Sequence, residues 1–382
     1  MSDVTQNDPP SLLPALTLVD KVIESKYQIL EELGSGSFGY LFLGQSLTNN
    51  SFVAIKALCK SGLDRSQLEL QQLEASIQSS LHHSHLLTLY ETCEDQDHVF
   101  MIMDLCDQGD LFDYRMHNKL HQDQVVSVFS QILDAVGYMH DHHIYHRDLK
   151  MENILLKTSE KDDPFYLDVK VGDFGLATRE RFHQETGCGS IAYLAPEHFD
   201  TSNPVMDAAA SDVWSLGILL IAMLFGRQPW QEANPQSDDT FQAFQRNPRI
   251  LKQELFPSLS MATYRFLVSI LVQHPSDRPT DIEELKQHFL GIDHLLVRSD
   301  DDDDDDDENE TSWPVAIPTT GVVPKAHDLV DSAIFSCNTD ESWSDLVDEE
   351  EALLIEQCNR SFTLDKEEQD IFVHEQELWW LQ

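Results

Sequence analysis

Apolar residues stand at Tyr27 and Ile29, again at Leu41 and Leu43, and again at Val53 and Ile55, each pair separated by one position. That period of two puts every second side chain on one face of a β-strand. Between about Tyr27 and Met103 only Ser66 to Ser80 breaks the pattern, with helical spacing, so the region predicts a small sheet with one helix. From about 107 to 297 the periodic segments are longer. Gln122 to His140 and Asp212 to Phe225 predict helices, and Gly226, Pro257 and Pro275 mark turns. The fold class expected is α+β with two lobes, a small β-rich one over residues 27–103 and a larger helical one over 107–297. Residues 1–26, with Pro9, Pro10 and Pro14, read as an arm leading into the first strand. No internal repeat is present.

Charge changes the picture beyond residue 297. Asp300 to Asp307 are eight consecutive aspartates, whose repulsion and lack of apolar side chains are incompatible with a packed element. Residues 298–382 are therefore expected to be an acidic, mostly disordered tail. Ile371 and Phe372 recur seven positions later as Leu378 and Trp379, which predicts a docking helix near 365–381. The formal net charge is −43, and residues 300–382 hold 26 acidic side chains against three basic ones (Lys325, Arg360, Lys366), so the remainder is acidic as well. Such a surface repels nucleic acid and anionic lipid and favours basic protein partners, for the tail in particular. Six widely spaced cysteines without a CxxC pair, no secretory apolar segment and apolar runs of core-helix length predict a reduced protein of cytoplasm or nucleus, away from membranes. A monomer is expected.

Gly34-Ser-Gly36-Ser-Phe-Gly39 lies between two strand patterns, where a hairpin without side chains lets backbone N–H groups approach polyphosphate. Alone the motif is weak, but a strand follows it rather than the helix of a dinucleotide fold. Val53-Ala54-Ile55-Lys56 then sets a lysine in an apolar strand, where an unpaired cation would be costly. Glu74, eighteen residues on in the helical stretch, is its natural partner, with Lys56 holding the α and β phosphates. In Tyr145-His146-Arg147-Asp148-Leu149-Lys150-Met151-Glu152-Asn153, Asp148 suits a substrate hydroxyl, Lys150 the moving phosphoryl charge and Asn153 a second Mg²⁺; Asp173 of Asp173-Phe174-Gly175 suits the metal that bridges to the nucleotide. His140, His142, His143 and His146 imitate metal-ligand spacing.

With these motifs in order, the chain from about Tyr27 to Leu296 resembles the eukaryotic protein kinase family. The resemblance implies the two-lobed fold, ATP and Mg²⁺ as cofactors and a protein substrate. It implies catalytic roles for Asp148, Lys150 and Asn153, metal contacts from Asn153 and Asp173, and a nucleotide site of Gly34, Gly36, Gly39, Leu41, Ala54, Lys56, Glu74, Met103, Asp104, Cys106, Asp110 and Asp173. Met103 stands as gatekeeper, Asp104 to Cys106 as hinge, and Asp110 as a contact to ribose or substrate. Glu197 of Ala195-Pro196-Glu197 is expected to pair with Arg278, and Asp212 to brace the catalytic-loop backbone. Lys150 with Gly187-Cys188-Gly189-Ser190 is similar to Ser/Thr kinases, and the run through Gly226 to Trp230 and Phe241 to Phe244 is most similar to a fungal group related to the kinase that represses meiosis and conjugation.

The resemblance also frames some departures. Gln78, one turn after Glu74, replaces an apolar residue, from which weakened packing and a gain in turnover for Gln78→Leu are expected. Thr186 is the expected phosphate acceptor, and Asp110 with Glu152 is expected to favour a basic residue three places before the target hydroxyl, Ala222 lacking the acid that would grip a second one. The rival class, a pseudokinase scaffold, is marked by loss of residues that are all retained here.

Overall fold

The computed structural model describes residues 18–36, 39–158, 166–184, 188–200 and 205–297. Six strands form one antiparallel sheet: β1 (Val22–Ile23), β2 (Tyr27–Gly36), β3 (Gly39–Ser46), β4 (Phe52–Cys59), β5 (Leu89–Glu94) and β6 (His98–Met103), in the spatial order β1-β2-β3-β4-β6-β5. The alternation legible in β4 divides the lobe. Val53, Ile55 and Ala57 face a cluster with Ile29, Phe42, Phe100 and Ile102, while Ala54 and Leu58 face a second one with Leu41, Met101 and Met103. Lys56 shares the even-numbered face of β4 with Ala54 and Leu58.

Helix α1 (Arg65–Ser80) crosses this sheet and starts where expected because Asp64 and Gln67 form a reciprocal capping box. The sheet itself begins earlier than expected. Val22 and Ile23 pair with Gln28 and Tyr27, and Leu18 and Ile23 are buried in the first cluster, so part of the presumed arm belongs to the small lobe. Its hairpin puts Glu24 and Ser25 at φ 47° and 59° without the Asn-Gly signature such turns usually show.

The larger lobe packs α2 (Leu111–His117), α3 (Gln122–Asp141), α4 (Ala208–Phe225), α5 (Asp239–Arg246), α6 (Met261–Ile270) and α7 (Ile282–Leu290), with the short ribbons β7 (Ile154–Lys157) and β8 (Asp168–Val171), and β9 (Phe182–His183) and β10 (Met206–Asp207). Helix α4 is long and apolar enough to cross a bilayer, but it is buried all round inside the fold, as a central core helix is. It begins four residues before the expected Asp212 because the Asp207 carboxylate accepts the Ala209 and Ala210 N–H groups at 3.1 and 3.3 Å. It ends at Gly226, whose φ of 67° closes it in the left-handed conformation. Thr186, the aspartate run and the expected helix at 365–381 lie outside the described residues.

Candidate active site

The site lies between the lobes, and the small lobe supplies one wall. Lys56 Nζ donates to Glu74 Oε1 at 2.7 Å, joining β4 to α1. Burial, the largest influence on this lysine, pulls its pKa down; Glu74 and Asp173 outweigh it and hold the ammonium above the ordinary lysine range. Strands β2 and β3 meet at Gly36 and Gly39, with Gly34 paired to Leu41. Gly39 has φ 147°, and a Cβ there would come within 2.2 Å of the Ala57 carbonyl oxygen, so only glycine fits. Leu41, Ala54, Met103 and Cys106 join Leu155 of β7 in one apolar cluster spanning both lobes, which suits a flat base. Asp104 follows Met103 with its side chain engaged elsewhere, 2.7 and 2.8 Å from Lys157 Nζ and accepting from the Tyr90 hydroxyl at 3.1 Å.

The large lobe supplies a floor that is held far more densely. Asp212, enclosed in α4, accepts the His146 and Arg147 N–H groups at 2.9 and 2.8 Å and contacts His140 Nε2 at 2.9 Å. Burial would raise its pKa, yet these donors keep it below the usual aspartate range. They also hold Arg147 at φ 67°, an uncommon conformation for a side-chain-bearing residue. Asp148 is thereby presented to the cleft. Its Oδ1 accepts the Ser190 N–H at 2.9 Å, its Oδ2 accepts from Asn153 Nδ2 at 3.0 Å, and Lys150 Nζ lies 3.2 Å away while donating to Ser190 Oγ at 2.7 Å. Burial again pushes Asp148 up, and Lys150, His146 and Ser190 bring it below the ordinary range, so it is an ionised acceptor.

Asn153 spends its amide hydrogens on the backbone and side chain of Asp148, at 2.8 and 3.0 Å, and its buried Oδ1 has no hydrogen-bond partner. An orphaned amide oxygen on the side chain that holds the Asp148 carboxylate, in a loop whose backbone is bonded to the residue before Asp173, fits a hard divalent cation such as Mg²⁺. Asp173 itself sits at φ 58°. The Gly172 N–H before it donates to the Asn153 carbonyl at 2.9 Å, and the Gly172 carbonyl meets His146 Nε2 at 3.0 Å, while Phe174 is buried against the His146 ring. The catalytic and metal-binding loops are thus one hydrogen-bonded unit.

Glu197 and Arg278 form the expected pair, bidentate at 2.7 Å for both bonds. The histidines before the loop diverge: His140 turns to Asp212, His142 to the Tyr138 carbonyl and His146 to Gly172. Asp110 is almost wholly buried, with its carboxylate capping α2 through the Asp113 N–H at 2.8 Å, and burial pushes it up to about 7, with Asp113 and Glu152 adding to the effect. Gln78 departs from expectation. Its amide donates to the Leu87 carbonyl at 3.1 Å and to Met103 Sδ at 3.5 Å, so it is satisfied within the protein instead of loosening the packing. Leu155 was missed, since an apolar residue in a strand looks alike whether it faces core or cleft.

Residues 27–290 match the protein kinase domain. The chain is 30% identical over 287 residues to a Schizosaccharomyces pombe protein described as a negative regulator of sexual conjugation and meiosis, covering 69% of this chain and 59% of the relative. It is 33% identical over 272 residues to the serine/threonine-protein kinase ksp1 of the same yeast, covering 68% and 56%, so it spans somewhat over half the length of either. An Aurora kinase of that yeast is 31% identical over 266 residues, covering 69% and 70%. The expected likeness to fungal kinases is thus found, and the domain match takes in the Lys56–Glu74 wall and the Asp212-braced floor together: this chain belongs to the protein kinase family.

Proposed function

We propose that this protein transfers the γ-phosphoryl group of ATP to serine and threonine hydroxyls of protein substrates. The observation that carries the reading is the joint presence of the Lys56–Glu74 pair and the Asp148–Lys150–Ser190–Asn153 network around one cleft. Lys56 would hold the α and β phosphates, kept charged and oriented by Glu74. Asn153 Oδ1 and Asp173 would hold Mg²⁺, which when bound neutralises phosphate charge. Asp148 orients the attacking hydroxyl; its depressed pKa makes it a weak base, suited to taking the proton late in a loose transition state. Lys150, fixed on Ser190 and Asp148, offsets the charge on the transferred group.

The substrate preferred has a basic residue three places before the acceptor. Glu152 Oε2 is buried without a hydrogen-bond partner, burial raises the pKa of Glu152 and of Asp110, and the Glu152 charge adds to the rise at Asp110, so a guanidinium reaching both would relieve the desolvation cost. The compartment that fits is cytoplasm or nucleus, where thiols stay reduced; no disulfide joins Cys59, Cys93, Cys106 and Cys188 among the described residues. Radiolabelled ATP with a basic protein substrate tests the activity: label transferred by the wild type and lost in Asp173→Ala supports it, and equal signal from both sinks it. A peptide array favouring acidic or proline-directed sites overturns the basic preference.

A further inference from the structure

We propose that Gln78 is a positioning residue whose amide latches α1 to the nucleotide cleft and so keeps Glu74 on Lys56; the inference rests on the kinase reading above only for its kinetic test. Gln78 is 2% exposed and lies four residues after Glu74, on the same face of α1. Its amide has two hydrogens, and both are directed across the helix boundary. One goes to the Leu87 carbonyl at 3.1 Å and the other to Met103 Sδ at 3.5 Å.

Those two partners belong to different parts of the site. Leu87 N–H donates in turn to the Val171 carbonyl at 2.8 Å, and Val171 N–H to the His85 carbonyl at 2.9 Å, which docks the 85–87 segment on the end of β8 two residues before Asp173. Met103 is in the apolar cluster with Leu41, Ala54 and Leu155. One amide therefore connects the helix carrying Glu74, the segment leading to Asp173 and the wall of the base site. An apolar side chain could fill the same space, but its contacts have no preferred direction, whereas a buried hydrogen bond is directional and leaves the Leu87 carbonyl unsatisfied when it breaks. The latch thus converts the position of α1 into a defined register, and Glu74, one turn away, inherits it.

The test uses the full chain with Gln78→Met, which keeps the length but removes the donors, and Gln78→Glu, whose carboxyl donates only when protonated. In Gln78→Met, kcat/KM for ATP is expected to fall about tenfold at temperatures well below the melting transition, while the melting temperature drops by only a few degrees for the donor lost to the Leu87 carbonyl, too little to unfold the protein under assay. In Gln78→Glu, activity is expected to be highest at low pH and to fall as the buried carboxyl ionises, a limb absent from the wild type. The second readout is the rate at which an amine-acylating reagent modifies Lys56, followed by peptide mass spectrometry. Released from Glu74, Lys56 loses part of its raised pKa, so acylation is expected to be faster in Gln78→Met. Unchanged Lys56 acylation together with wild-type or higher kcat/KM in Gln78→Met overturns the proposal. A wild type that transfers no phosphate, with Lys56 acylation still accelerated by Gln78→Met, instead overturns the kinase reading and leaves the latch standing.

Discussion

The two sides of the cleft are built on opposite plans. On the small-lobe side Lys56 meets Glu74 through one ion pair between a strand and a helix, with the Gln78 amide as the further polar tie of that helix described above. On the large-lobe side Asp148 is fixed by three donors of its own, and the loop that carries it by two backbone donors to Asp212 inside the central helix, which also holds His140 of α3. A wall held by few bonds between separate elements can be shifted by modest forces, whereas a floor rooted in a close-packed core cannot. Regulation acting through geometry therefore has its purchase on α1, and chemistry has its anchor below.

The largest expected effect is on the floor. Asp148→Asn keeps the shape but removes the charge and the proton acceptor, and kcat should fall by about 10²- to 10⁴-fold with little change in KM for ATP. A similar loss expressed only in KM would break the comparison, since it would make Asp148 part of the binding wall. Next comes Asp212→Ala, which strands two backbone N–H groups and a histidine in the core. It should cost about 3 kcal/mol, visible as a melting temperature lower by roughly 6–12 °C, together with reduced kcat. Unaltered melting would show that the loop holds itself.

Smaller effects belong to the wall and the groove beside it. Glu74→Gln should lower kcat/KM for ATP by about tenfold and cost about 1–3 kcal/mol in denaturant titration, because it leaves the largely buried Lys56 ammonium without its charged partner. The smallest is a pH dependence. Burial puts the Asp110 pKa at about 7 in the folded protein, above its unfolded value near about 3.9, so the folded state holds the proton longer. The stabilisation this gives is complete below about pH 4 and is lost as pH rises towards 7. Asp110→Asn, which retains the helix cap, should flatten that slope in thermal melts between pH 5 and 7. A cationic side chain favours the ionised carboxyl, so KM for a peptide with arginine three places before the acceptor should fall severalfold from pH 6 to 8. The same peptide with alanine there should show no such change.

The parts legible in the sequence were those specified by neighbours along the chain. Strand alternation marked the Val53 and Ile55 face of β4, helical spacing placed α1 to within one residue of its start, and motif spacing paired Lys56 with Glu74 across eighteen residues. The parts that were not legible depend on partners distant in the chain or on weak local signals. Strand β1 is two residues long and turns on Glu24 and Ser25 without glycine. The alanines that open α4 carry no periodicity, and their cap, Asp207, also holds Arg181. Gln78 looked like a defect because the carbonyl and sulfur that satisfy it belong to Leu87 and Met103, which nothing local to α1 announces.

Helix α4 also sets a schedule. A nascent chain extended only through residue 200 already contains Gly39, Lys56, Glu74, Asp148, Asn153 and Asp173, together with the other residues proposed to meet nucleotide or metal. It lacks Asp212, which fixes the loop backbone, and Arg278, whose guanidinium clamps Glu197. During synthesis the phosphate-handling groups therefore exist before the scaffold that aims them, and competence arrives only when the last third of the domain has been translated and condensed around α4.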